Sequence, residues 1–249
     1  MIKKLFSRLF GSAGASDLRA SDSARWEAAL LERVKEMTPN DPLIGAKVGG
    51  KELAPRLIEA MKDHRGVHVE SLLCAAGALA GYSCQAAVRA RNRALGIDEC
   101  SGLTLAKASD GRTFLFGDPL NKYLAENELS VWGIAAGGAQ DAGCTRILDI
   151  SAIFKHVAAS VGSSNFGVPR LPDGHPVHEH PPSYLERFWP RFAPMIARFC
   201  PNPDHWPILL GLALQELISQ TRGALDPCVA LQVVMESAVP MSKVSLNAA

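Results

Sequence analysis

The chain lacks any bias of charge: 26 basic and 25 acidic residues leave a formal charge of +1, and no Lys/Arg stripe is interleaved with aromatics. Nucleic-acid binders hold a phosphate backbone through such a bias, so that class is set aside. None of the six cysteines (Cys74, Cys84, Cys100, Cys144, Cys200, Cys228) stands in a C-x-x-C pair. Several sit inside Ala- and Leu-rich runs, where a thiol behaves as a small hydrophobe. Disulfide scaffolds are usually short secreted chains, so the expectation is reduced thiols in a cytoplasmic protein. Long apolar runs are missing as well. The most apolar segment, Leu72–Tyr82, is about half the length a bilayer crossing needs, and no transmembrane segment is expected. At the N-terminus, Arg8 interrupts the apolar stretch before a signal-type core is complete.

What is present is helical periodicity. Apolar residues make up 47% of 249 residues, enough for a core. Ile2, Leu5, Phe6, Leu9 and Phe10 repeat at helical spacing beside Lys3, Lys4 and Arg8. That basic amphipathic segment suggests weak membrane-surface contact through residues 1–10 or docking on another protein. Residues 11–23 are small and polar, so residues 1–22 read as a flexible leader. Ser23 then caps a helix whose face is Trp26, Leu30, Val34 and Met37, and Leu53, Leu57, Ile58 and Met61 mark a second. His68–Ala80 is apolar nearly all round and belongs at the centre of the core. Gly81 is read as breaking that helix and Ser83 as capping the next.

One stretch changes period. Leu103–Ala108 and Thr113–Phe116 flank Ser109-Asp110-Gly111-Arg112, a hairpin signal with Asp-Gly at its centre. Beyond it, helical patterns cover 129–142, 147–161, 183–199, 204–221 and 227–239. A Pro- and Gly-rich loop fills 162–182, and residues 240–249 read as a loose tail. The expected fold is therefore mainly α: a single helical domain over 23–239, of about nine or ten helices, with one β-hairpin at 103–117.

Chemistry-bearing residues are few. The long loop carries His175, His178 and His180, with Asp173, Glu179, Cys200 and His205 as further donors. Alternate residues of an extended chain share a face, so His178 and His180 can grip one ion, and a polyproline-like turn would instead align His175 with His178. Zinc is the cofactor considered, although the spacing matches no established zinc pattern. Cys84, placed at a presumed helix start, is the candidate nucleophile, because a helix N-terminus lowers a thiol pKa. Arg89 and Arg93 share a helix face suited to an anionic partner, a placement that the helix dipole explains equally well. Small residues from Ala135 to Gly143 suit a close helix–helix approach.

Asp98-Glu99-Cys100-Ser101-Gly102-Leu103 resembles, over six residues and with Glu99 inserted, the D-C-S-G-[FL] signature of the NlpC/P60 cysteine peptidases. The resemblance implies a cysteine that opens a helix and a later histidine motif. Here a hairpin follows and no such motif exists, so the match is read as coincidence. The function expected is that of a non-catalytic helical binding or regulatory protein, with an unknown protein or small-molecule partner. The alternative is a hydrolase using the histidine loop through a metal, or a cysteine thiol.

Overall fold

The computed structural model describes residues 12–108 and 111–246, with side chains from residue 25 onward. The amphipathic segment at 1–10 and the Ser109-Asp110 part of the hairpin turn lie outside the described residues. The chain forms two compact units, Met1–Gly45 and Ala46–Ala249.

Helix α1, Ser12–Met37, makes up most of the first unit. It starts well before the Ser23 cap, so residues expected in a polar leader are helical from Ser12. Of the expected apolar face only Val34 is buried, while Trp26 is 62% exposed. Ion pairs Arg33–Glu36 and Glu32–Lys35 run along its surface, and Thr38 closes the helix by returning its hydroxyl to the Val34 carbonyl.

The second unit is a mainly helical domain with a small antiparallel hairpin. Its helices are α2 (Ile44–Met61, entering from the first unit), α3 (Val69–Ala94), α4 (the single turn Asp118–Asn121), α5 (Val131–Asp141), α6 (Ile150–Ser160), α7 (Pro181–Phe199), α8 (Trp206–Thr221) and α9 (Pro227–Met241). Strands β1 (Thr104–Lys107) and β2 (Thr113–Phe116) pair antiparallel, with Leu105 opposite Leu115 and Ala106 opposite Phe114.

α3 is the centre, as its all-round apolarity implies. It packs against α9, α8 and α7, and residues 71–85 are buried without interruption. Among the described residues it is the one helix long and apolar enough to cross a membrane, but 94% of its apolar window is buried inside the protein. Gly81 does not break it. A Cβ there would lie 1.9 Å from the Ala238 carbonyl oxygen, and one on Gly77 would lie 2.5 Å from that of Val234. The two glycines form a notch that receives the α9 backbone, so they are there for contact, and the helix runs on for 26 residues. The small residues of α5 act likewise: a Cβ on Gly138 would meet Gln215 of α8 at 2.8 Å.

Two further expectations change. The segment read as a loose tail is tied in as far as Leu246: Met241, Ser242 and Lys243 are buried. Leu115 N–H donates to the Lys243 carbonyl at 2.8 Å, and Val244 bridges to Phe114. The Gln85 amide donates to the carbonyls of Ser242 and Val244. Backbone bonding of this kind leaves no side-chain pattern to read. Secondly, Cys144 and Cys228 form a disulfide across 84 residues of sequence, with Cα atoms 5.0 Å apart. The chain brings the turn after α5 against the first turn of α9, and the residues between hide the pairing from any spacing rule. The cytoplasmic expectation rested on reduced thiols and loses that support.

Candidate functional site

The histidine loop is a strap across the domain. Arg170 anchors it: the guanidinium donates to Glu236 of α9 at 2.7 and 3.3 Å, and Gln232 donates to the Arg170 carbonyl at 2.6 Å. Glu236 is 4% exposed, and a buried carboxylate requires such a partner. Further along, the strap lands on the N-terminus of α3. His175 Nδ1 lies 3.0 Å from Glu70 Oε1, and the His178 N–H donates to the Ser71 hydroxyl at 3.0 Å. The His178 ring stacks on His68, centroids 4.0 Å apart. Burial works against the Glu70 charge, yet the bond from His175, the backbone and the two neighbouring imidazoles outweigh it and hold the carboxyl below its usual range.

The three candidate ligands therefore do not converge. His175 is bonded to Glu70, and His178 stacks its ring on His68. His180 is exposed at the N-cap of α7. Among the described residues no group of three His, Cys, Asp or Glu side chains is placed to hold a metal. Cys200 is buried, with its thiol pushed up to about 12 by that burial.

The landing site does contain a serine, a histidine and a carboxylate in line. Ser71 Oγ lies 2.9 Å from His68 Nδ1, and His68 Nε2 lies 3.5 Å from Glu70 Oε2. The line has a structural role. His68 Nδ1 also accepts the Ser71 N–H as the helix cap. The Ser71 oxygen accepts the His178 N–H, and its side chain also meets the Tyr184 phenol. Ser71 is also 2% exposed, so its hydroxyl is closed off from a substrate.

Cys84 fares no better as a nucleophile. Because α3 does not break, the residue sits in mid-helix, fully buried and bonded to the Ala80 carbonyl. Burial pushes its thiol up to about 12, the reverse of activation. Cys100 lies half-buried in the turn before the hairpin, its N–H donating to Asp98, and opens no helix.

Arg89 and Arg93 stand elsewhere, on a groove of about 340 Å³ between α3, α7 and the start of α8. Tyr82, Trp189 and Trp206 supply aromatic surface, Ala86, Ala90 and Ala193 leave room between them, and Leu246 closes one side. Tyr82 and Trp189 meet edge to face at 4.7 Å, and the Trp206 indole N–H is fixed by the Cys200 carbonyl at 2.8 Å. One Glu99 oxygen bonds Arg89 and the other bonds Arg93. Those two bonds, Arg89 first, hold the Glu99 carboxyl below its usual range. The i, i+4 spacing of the arginines was legible in the sequence. Trp189, Trp206 and Glu99 gave no such signal, because they reach the groove from separate elements.

Comparison with protein-family models, curated proteins and solved structures finds no match to this chain.

Proposed function

We propose that this protein is a non-catalytic helical binding protein and that its ligand site is the groove between Tyr82, Trp189 and Trp206. The observation that carries the reading is the groove's construction. Rigid aromatic walls line a concave space, alanines hold it open, and two guanidinium groups stand at the rim. This is the composition of small-molecule sites, mostly apolar with a few placed polar groups. The hydrolase alternative draws no comparable support: Ser71 and Cys84 are buried, and His175 and His178 are engaged with α3. The partner in this reading is a small molecule.

The test is a thermal-shift screen of small organic compounds spanning anionic, neutral and cationic groups. It is run on the wild type and on Ala193→Leu, which fills the groove without touching a charge. Compounds that raise the melting temperature of the wild type should lose that effect in the variant. The reading fails if no compound shifts the wild type, or if every active compound acts undiminished on Ala193→Leu.

A further inference from the structure

The groove has a polarity along its length. Its walls are indole and phenol rings, and among the described residues its formal charges are Arg89 and Arg93, with no Asp or Glu in the lining. Among the described residues the carboxylate that meets them is Glu99, from the turn that follows α3, and each guanidinium gives it a single terminal nitrogen. Two positive groups thus face one negative group. Arg89 Nε is buried without a hydrogen-bond partner among the described residues, so its guanidinium is not saturated. The Glu99 side chain is 34% exposed and that of Arg93 69%. The Arg93–Glu99 pair is therefore open to water and contributes little net stability, while the Arg89 side chain is only 22% exposed.

We propose, resting on the binding-protein reading above, that the groove takes small organic acids: a flat apolar body between Trp189 and Trp206 with an anionic head on Arg89 and Arg93. Glu99 is the chain's own anion at that position, and an incoming carboxylate displaces it. Guanidinium forks match carboxylate geometry two bonds at a time, while indole faces accept any flat ring. An apolar body without the anion gains the walls but leaves the Arg–Glu99 contact undisturbed. A cation meets two like charges.

The probes are 2-naphthoate, the neutral 2-naphthylmethanol and the cationic 2-naphthylmethylamine, titrated by calorimetry. Naphthoate should bind about tenfold more tightly than the alcohol, the worth of a charge-assisted pair, and the amine should not bind. Arg93→Gln, a change at an exposed rim position, should remove that tenfold preference while the alcohol binds as before. Glu99→Gln removes the internal competitor and should tighten naphthoate binding. If the alcohol binds as well as naphthoate and neither variant changes the ratio, the anion proposal is overturned while the groove still stands as a binding site. If Glu99→Gln weakens naphthoate, Glu99 orients the arginines rather than competing for them, and the displacement step is wrong. If no naphthyl probe binds any variant, the proposal is overturned. The broader screen with Ala193→Leu then decides separately whether the groove binds anything.

Discussion

Lys243 should destabilise this protein at neutral pH, and replacing it with Met should make the fold more stable. The side chain is 3% exposed. Its ammonium donates to Asn121 Oδ1 at 3.1 Å and lies 5.7 Å from the ring centroids of Phe116 and Phe154. No ion pair compensates it among the described residues. Burial lowers its pKa from 10.5 to about 8, with the nearby Cys84 opposing that shift slightly. A drop of that size corresponds to about 3 kcal/mol against the charged form. Met keeps the length and apolar stem but leaves the Asn121 oxygen without its donor, a loss of about 1 kcal/mol. Losing the two ring contacts offsets about 1 kcal/mol more, so Lys243→Met should gain roughly 1 kcal/mol at pH 7, or about 2–4 °C in melting temperature for a domain of this size.

The pH dependence makes the test specific. Below pH 8 the lysine is protonated in both folded and unfolded chains, and the full penalty applies. Between about 8 and 10.5 the folded protein has released the proton and the unfolded chain still holds it, so wild-type stability rises with pH. The advantage of the variant should shrink across that window. Cys74, Cys84 and Cys200, each pushed up to about 12 by burial, act the other way above about pH 9, but they are common to both proteins and largely cancel in the difference. Urea unfolding of both proteins at pH 7, 8, 9 and 10 measures it. A variant less stable at pH 7, by a margin constant across the series, would refute the reasoning. The lysine would then be charged and fully compensated in the fold.

Three further outcomes follow from the packing and the thiols. Gly81→Ala places a methyl group against the Ala238 carbonyl and should cost about 3 kcal/mol, the upper end of the usual cost of overpacking, read as a lowered urea midpoint; an unchanged midpoint would mean that α3 and α9 separate at little cost. Protein purified without reductant and unfolded in guanidinium should titrate four thiols with Ellman's reagent and six after reduction, since Cys74, Cys84, Cys100 and Cys200 are unpaired and Cys144–Cys228 is bonded. Six before reduction would restore the fully reduced chain. After zinc loading and dialysis, elemental analysis should find no stoichiometric metal; one equivalent lost on His175→Ala/His178→Ala would reinstate the histidine-loop site.

The sequence revealed those elements whose cause is local. The hairpin shows through its period and its Asp-Gly turn, the place of α3 through apolarity on every face, and α9 through its helical pattern over 227–239. It was silent or misleading where a distant partner supplies the reason. Gly81 looks like a breaker until the Ala238 carbonyl is set beside it. Ser242 and Lys243 look like tail until the hairpin edge and Gln85 take their carbonyls. The histidines crowd together in the chain, but the contacts of His175 and His178 with Glu70, Ser71 and His68, more than a hundred residues away, leave no local pattern. Of the groove, only the arginine pair could be read; its aromatic walls come from two helices that share no pattern with α3.

The notch formed by Gly77 and Gly81 also bears on how the chain is made. α3 leaves the ribosome nearly 150 residues before the α9 segment that fills its notch, an interval on the order of ten seconds at ~5–20 residues per second. Throughout that time a helix apolar enough to be mistaken for a membrane span has no backbone against its glycines. The nascent chain should therefore engage a holding chaperone over residues 69–94 and be released only once α9 has emerged. A change that opens the notch would prolong that exposure as well as weaken the finished fold.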